Sequence, residues 1–221
     1  MNSIGYSVFN SIFVCGDSFA YGQELDESVR EKKNFPALIA QHFNVPVYNH
    51  SIPGGSNSRI LRVSFVELPK LLEQKPFVII PWSQPHRMEF WNVRANDFKM
   101  LHPPPGADNE FTRLYFEEHS CDASDVLRTL MAKISLQHLL KSLGLNYLFV
   151  EMFDVVPQTP PEYKHLEKLI DRTNFLPDYL GWQYQGCPMA PGGHPLEEGH
   201  EKMAQYLIKQ IEKHENNHTG L

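Results

Sequence analysis

The sequence predicts an α/β layer fold built on a mainly parallel sheet, and three observations predict it. Short apolar runs of strand length recur along the chain, stretches with helical spacing alternate with them, and Phe77 to Pro81 is apolar on both faces, as a strand covered on both sides must be. Parallel neighbours need crossover connections, so alternating strands and helices call for this architecture. With 221 residues, 42% hydrophobic and 21% charged, the chain reads as a single domain over 1–221 with a sizeable core, neither disordered nor fibrous.

The elements follow in order. Ser11 to Cys15 is a buried strand stopped by Gly16-Asp17-Ser18. Asn34 caps a helix from Phe35 to Phe43, with Pro36 tolerated in its first turn. Val45 to Asn49 supplies a second strand, confined by Pro46 to an edge or early pairing position, and Pro53-Gly54-Gly55 breaks the chain after it. Ser56 to Leu72 is helical, with a kink or stop near Pro69, and Phe77 to Pro81 is the central strand. Residues 92 to 122 show no sustained period; with Pro103-Pro104-Pro105-Gly106 among them, the stretch 91–121 reads as an insertion or lid. Asp122 or Ser124 starts a helix whose apolar face is Leu127, Leu130, Met131, Ile134 and Leu143, with Gly144 as C-cap. Asn146 to Phe153 is the fourth strand, and the last helix carries the core stripe Met203, Ala204, Leu207, Ile208 and Ile211.

Composition removes several functions. Lys plus Arg is 20 against 26 for Asp plus Glu, and a net charge of -6 offers no positive field for nucleic acid. No apolar run approaches the roughly 20 residues that cross a bilayer. The first basic residue, Arg30, comes too late for a signal peptide, so cytoplasmic synthesis is expected. Cys15, Cys121 and Cys187, odd in number and without metal spacing, read as reduced thiols. The eleven histidines contain no HExxH, and His194 with His200 is not a ligand spacing, so neither metal nor organic cofactor is expected. His200 reads as a packing or capping residue.

Ligands of open parallel sheets sit at the carboxyl ends of the strands, and three motifs fall there. Gly16-Asp17-Ser18-Phe19-Ala20-Tyr21-Gly22 follows the first strand and makes Ser18 the candidate nucleophile. Asn49-His50-Ser51-Ile52-Pro53-Gly54 ends the second, where Gly54 lets a backbone N–H approach a ligand and is the candidate oxyanion donor. Gly192-Gly193-His194-Pro195-Leu196-Glu197-Glu198-Gly199-His200 leads into the last helix, with His194 the candidate base.

Taken together, GDSFAYG, the Asn49 to Gly54 spacing and HPLEEGH resemble the SGNH (GDSL) hydrolase family of esterases and lipases over most of the chain. The resemblance implies a three-layer flavodoxin-like fold with a four- or five-stranded sheet. It also implies a catalytic Ser18–His194 pair and an oxyanion hole made by the Ser18 and Gly54 N–H groups with a third, amide donor. Two departures mark the chain as a divergent member. The family's Gly-x-Asn-Asp block is replaced by Trp82-Ser83-Gln84-Pro85, leaving Gln84 or Ser83 as the third donor, with Gln84 preferred. The family's Asp three residues before the His is Pro191, so the His194 tautomer needs another acceptor: a backbone carbonyl first, Asp154 at the end of the fourth strand next, Glu198 after that. The run WSxxxRxEF resembles a variant in SGNH-like proteins of phages and aquatic bacteria; read as structure, it pairs Arg87 with Glu89 across a loop.

The activity so implied is a serine esterase hydrolysing a small acyl ester, acetyl first, on a small-molecule or carbohydrate partner. No long apolar segment suggests an acyl-chain tunnel, and the aromatic residues Phe19, Tyr21, Trp82, Phe90 and Trp91 suit sugar rings. Tyr21, Asn57, Trp82 and Arg87 are the candidate substrate-binding residues. The alternative is a noncatalytic module that kept the SGNH scaffold within a larger assembly such as a virion; the missing Asp and Asn favour it, and the intact GDS and HP motifs oppose it.

Overall fold

The computed structural model describes residues 9–103, 110–154 and 157–219. In chain order these form β1 (Ser11–Val14), α1 (Ser18–Tyr21), α2 (Arg30–Lys33), α3 (Phe35–Phe43), β2 (Val47–Asn49), α4 (Asn57–Glu67), β3 (Pro76–Trp82), β4 (Met88–Asn92), β5 (Asp97–Leu101), α5 (Glu110–Glu118), α6 (Asp122–Ser142), β6 (Tyr147–Glu151) and α7 (Glu197–Thr219). The main sheet has four strands in the order β2-β1-β3-β6, all parallel. Pro46 stands just outside the edge strand β2, and its carbonyl accepts from the Ile12 N–H at 2.9 Å, a pairing that needs no donor from proline.

Alternation along the strands sends side chains into two cores. Ile12, Val14, Phe77, Ile79, Leu148 and Val150 meet Phe35, Ile39, Met203, Leu207 and Ile211 from α3 and α7. Phe13, Cys15, Val78, Ile80, Trp82 and Phe149 meet Ile60, Val63, Ala132, Leu136 and Leu140 from α4 and α6. The result is a helix–sheet–helix sandwich of the flavodoxin-like kind, in which helices cover both faces of a parallel sheet. The Asn34 side chain caps α3 by accepting from the Ala37 N–H at 2.9 Å.

Two sequence expectations change here. The buried face of α6 runs through Val126, Leu130, Leu136 and Leu140, while Met131 is 56% exposed. The turn of the helix is set by buried polar residues that an apolar count overlooks, among them Lys133, paired with Glu151, and Gln137, bonded to the Leu169 carbonyl. The stretch after Trp91 is patterned: β4 and β5 pair antiparallel as a hairpin, with Asn96 in the left-handed region at its turn (φ 51), and α5 follows. Arg62 of α4 ties the hairpin down with two hydrogen bonds to the buried Glu89 carboxylate, 2.8 and 2.9 Å, and stacks on Phe98 at 3.8 Å. Pro104 to Gly106, the tip of the expected lid, lie outside the described residues. Among the described residues, no helix is long and apolar enough to cross a membrane.

Candidate active site

Ser18 opens α1 directly after β1, and it is 3% exposed. The turn carrying it is tight because its neighbours lack side chains. A Cβ on Gly16 would stand 2.7 Å from Pro81 Cγ of β3, and one on Gly55 would stand 2.6 Å from the Gly16 carbonyl oxygen. Main chain therefore meets main chain where the ends of β1 and β3 and the loop after β2 converge. Gly22 ends α1 in the left-handed region, its N–H reaching the Phe19 and Ser18 carbonyls.

Below the serine, Asp17 is completely buried and saturated with donors: the Phe19 N–H at 3.1 Å, the Ser83 hydroxyl at 3.0 Å and the Arg87 guanidinium at 2.8 Å. Burial pushes the Asp17 carboxyl up from its usual range, and the Arg87 charge works against that rise. The loop after β2 is fixed by Asn49, which donates to the Ala20 carbonyl at 2.9 Å, and by Ser51 Oγ, which accepts from the Gly16 N–H at 2.9 Å. Gly54 has φ +69, and a Cβ on it would stand 2.2 Å from Cε1 of His102, which follows β5 and packs against this glycine.

His194 arrives from the loop before α7. Ala190, Pro191, Gly192 and Gly193 form a turn closed by the Gly193 N–H on the Ala190 carbonyl at 2.9 Å, with Pro191 at the second position, where its fixed φ is favourable. The imidazole lies 5.0 Å, centroid to centroid, from the ring of Phe19, the residue next to Ser18. Its Nδ1 is 2.6 Å from Glu24 Oε2, and the Gly192 N–H donates to Glu24 Oε1 at 2.8 Å. An ionised carboxylate only accepts, so Nδ1–H is the donor of this bond. The hydrogen bond from His194, followed by that from Gly192, holds the Glu24 carboxyl below its ordinary value. His200, six residues on, is fully buried: its Nδ1 accepts from the Phe35 N–H at 3.3 Å at the start of α3.

Ser18, Gly54 and His194 thus lie at the carboxyl end of the sheet. Neither the Ser18 hydroxyl nor the N–H groups of Ser18 and Gly54 donate a hydrogen bond among the described residues. The carboxylate on His194 is Glu24, which sequence reasoning missed. Asp154 is exposed and makes no hydrogen bond or ion pair among the described residues, and Glu198 pairs with Lys202 at 3.0 Å. Nothing local could have flagged Glu24, because its partner is 170 residues away. His102 was missed as well.

Three candidate substrate-binding residues, Trp82, Asn57 and Arg87, make contacts within the protein. Trp82 is fully buried against Phe149, since alternation along β3 turns it toward α6. Asn57 is 2% exposed, and its side-chain amide brackets Ser83, accepting from the Ser83 N–H at 2.8 Å and donating to the Ser83 carbonyl at 2.9 Å. Arg87 serves Asp17, so it does not pair with Glu89, which is held by Arg62. Tyr21 accepts from Arg30 at 2.8 Å through its hydroxyl. Ser83 Oγ donates to Asp17 and accepts from Arg87, whereas the Gln84 amide makes no hydrogen bond among the described residues.

Comparison with solved structures shows the same fold. The chain superposes on the psychrotrophic esterase EstA from Pseudoalteromonas sp. inhibited by monoethylphosphonate with a TM-score of 0.55 and 16% identity, over 94% of this chain and 99% of that one. A carbohydrate esterase family 2 enzyme plus carbohydrate binding domain from Corynascus thermopiles (Myceliophthora fergusii) gives 0.57 and 15%, over 91% of this chain and 65% of that one. A member of the lipolytic protein G-D-S-L family from Veillonella parvula DSM 2008 gives 0.51 and 12%, over 90% and 96%. No curated protein matches in sequence. A family model described as a family of unknown function (DUF6071) matches residues 22–170, which takes in Gly54, Gln84 and Arg87 and leaves Ser18 and His194 outside.

Proposed function

The chain belongs to that family of unknown function, and we propose that it is an ester hydrolase in which Ser18 is the nucleophile and His194 the general base, acting on a small acyl ester, acetyl first, carried by a carbohydrate. One observation carries this reading: the Ser18 hydroxyl and the Ser18 and Gly54 N–H groups donate no hydrogen bond among the described residues, at the end of the sheet where the His194 ring lies 5.0 Å from that of Phe19, the residue next to Ser18. By name, the structural neighbours are esterases and lipolytic proteins, one of them a carbohydrate esterase.

His194 Nε2 takes the Ser18 proton as Oγ attacks the ester carbonyl carbon. The oxyanion is held by the Ser18 and Gly54 N–H groups and by the Gln84 amide, since Ser83 is committed to Asp17 and Asn57. Each such donor is typically worth ~10²- to 10³-fold in rate. Collapse expels the alcohol with the proton returned by His194, and water, deprotonated by the same nitrogen, releases the acid and restores Ser18.

The second reading is a noncatalytic scaffold module, favoured by a family match that spans neither Ser18 nor His194. Hydrolysis of 4-nitrophenyl acetate and of an acetylated xylan, with wild type and Ser18→Ala, separates the two. The hydrolase reading expects a loss of at least ~10³-fold in kcat/KM and a stoichiometric phosphonate adduct on Ser18. Equal rates in both proteins, or no adduct, establish the scaffold reading.

A further inference from the structure

We propose that Glu24 is the positioning carboxylate of the site, doing for His194 from the nucleophile's own segment what the resembled family does with an Asp three residues before its His. The inference rests on the hydrolase reading and adds a residue to it. Its geometry is that of a clamp. One carboxylate oxygen takes His194 Nδ1–H at 2.6 Å and the other takes the Gly192 N–H at 2.8 Å, so the carboxylate cannot rotate without losing a donor.

The base loop is shaped to receive it. A Cβ on Gly192 would stand 2.5 Å from Glu24 Oε2. Pro191, at the position of the family's Asp, has been turned over to closing the turn. On the other side, Glu24 has φ 68, a left-handed conformation that non-glycine residues adopt at a cost of ~1 kcal/mol or more. Flanking contacts hold it there: the Leu25 N–H bonds to the Gly22 carbonyl at 3.2 Å, and the Leu25 side chain is 4% exposed. Strain kept at a residue whose carboxylate meets an imidazole indicates function at this position. Glu24 keeps its own proton off, fixes the Nδ1–H tautomer, and stabilises the imidazolium formed when the Ser18 proton reaches Nε2.

The experiment combines two readouts. The first is hydrolysis of 4-nitrophenyl acetate by wild type, Glu24→Gln, Gly192→Ala and the double variant Glu24→Gln/Pro191→Asp. The second is the ¹⁵N NMR tautomer of His194, which needs no activity. Glu24→Gln is expected to lower kcat ~10²- to 10⁴-fold with KM within about twofold, and to convert His194 from the Nδ1–H form to a mixture. Gly192→Ala, which leaves the carboxylate in the chain and displaces it, is expected to do the same and stands in if Glu24→Gln does not fold. Restoring an acid at 191 is expected to recover at least tenfold, a rescue that a purely structural Glu24 would not show. If Ser18→Ala abolishes hydrolysis while Glu24→Gln and Gly192→Ala stay within threefold of wild type, the Glu24 assignment is overturned and the hydrolase stands. If wild type shows no Ser18-dependent hydrolysis, the hydrolase reading fails, and a tautomer unchanged by Glu24→Gln overturns the assignment as well.

Discussion

The Arg87 guanidinium lies 2.8 Å from Asp17 Oδ2, across 70 residues of sequence, against a carboxylate with no exposed surface. Removing one partner of a buried pair strands the other charge, which costs about 3 kcal/mol or more. Arg87→Met is therefore expected to lower Tm by roughly 10 °C for a chain of this size. The double variant Asp17→Asn/Arg87→Met should lose less, because no buried charge remains. Thermal unfolding monitored by circular dichroism decides this; an unchanged Tm with a raised KM would return Arg87 to the substrate side.

Gly54→Ala meets two obstacles, a positive φ and the His102 ring above it. We expect about 1–2 kcal/mol of lost stability and, with the oxyanion N–H displaced, ~10²-fold lower kcat. Adding His102→Gly should return only the part of the stability lost to the clash with the ring and little of the rate, because removing the ring leaves the backbone strain and the misplaced donor. Urea unfolding and steady-state kinetics on the three proteins separate the two effects.

The hairpin is held to α4 by the fork of Arg62 on Glu89. In Arg62→Met, amides of β4 and β5 should exchange with solvent at least tenfold faster, while those of β1 and β3 keep their protection. Hydrogen–deuterium exchange resolved by segment provides the measurement. Loss of protection throughout would mean that the hairpin belongs to the cooperative core.

Burial depresses the His200 pKa to about 4 against an ordinary 6.5. The folded chain thus refuses a proton that the unfolded chain accepts, so stability is intact above pH 6.5 and falls as pH drops toward 4. Integrated over that interval the loss is about 3 kcal/mol. In His200→Asn this part of the acid dependence should be missing, so the two stability curves converge near pH 4. Curves that remain parallel from pH 7 to 4 would remove His200 as the cause.

Much of the scaffold was legible because its signals are local. β3 is a run buried at every residue, Asn34 is a side-chain cap three residues from its N–H, and Met203, Leu207 and Ile211 repeat at helical spacing. The hairpin escaped because its alternation is brief, with Asp97 and Lys99 exposed between half-buried Phe98 and Met100. Trp82, Asn57 and Arg87 stand next to the site in sequence, and the side of the backbone they take depends on strand register and on a buried Asp17 that demands donors. Glu24 depended on a contact across nearly the whole chain.

Ser18 and Glu24 sit within one seven-residue stretch, while His194 comes from the other end. Recombination therefore treats this site differently from one whose carboxylate lies beside its histidine. A crossover anywhere between residues 25 and 190 with a chain of that other kind would yield unequal offspring. One would inherit this N-terminal segment and a second carboxylate from the donor's histidine loop; its reciprocal would inherit neither. The first descendant would tolerate loss of either acid, and the second would have a nucleophile and a base with nothing to orient the imidazole.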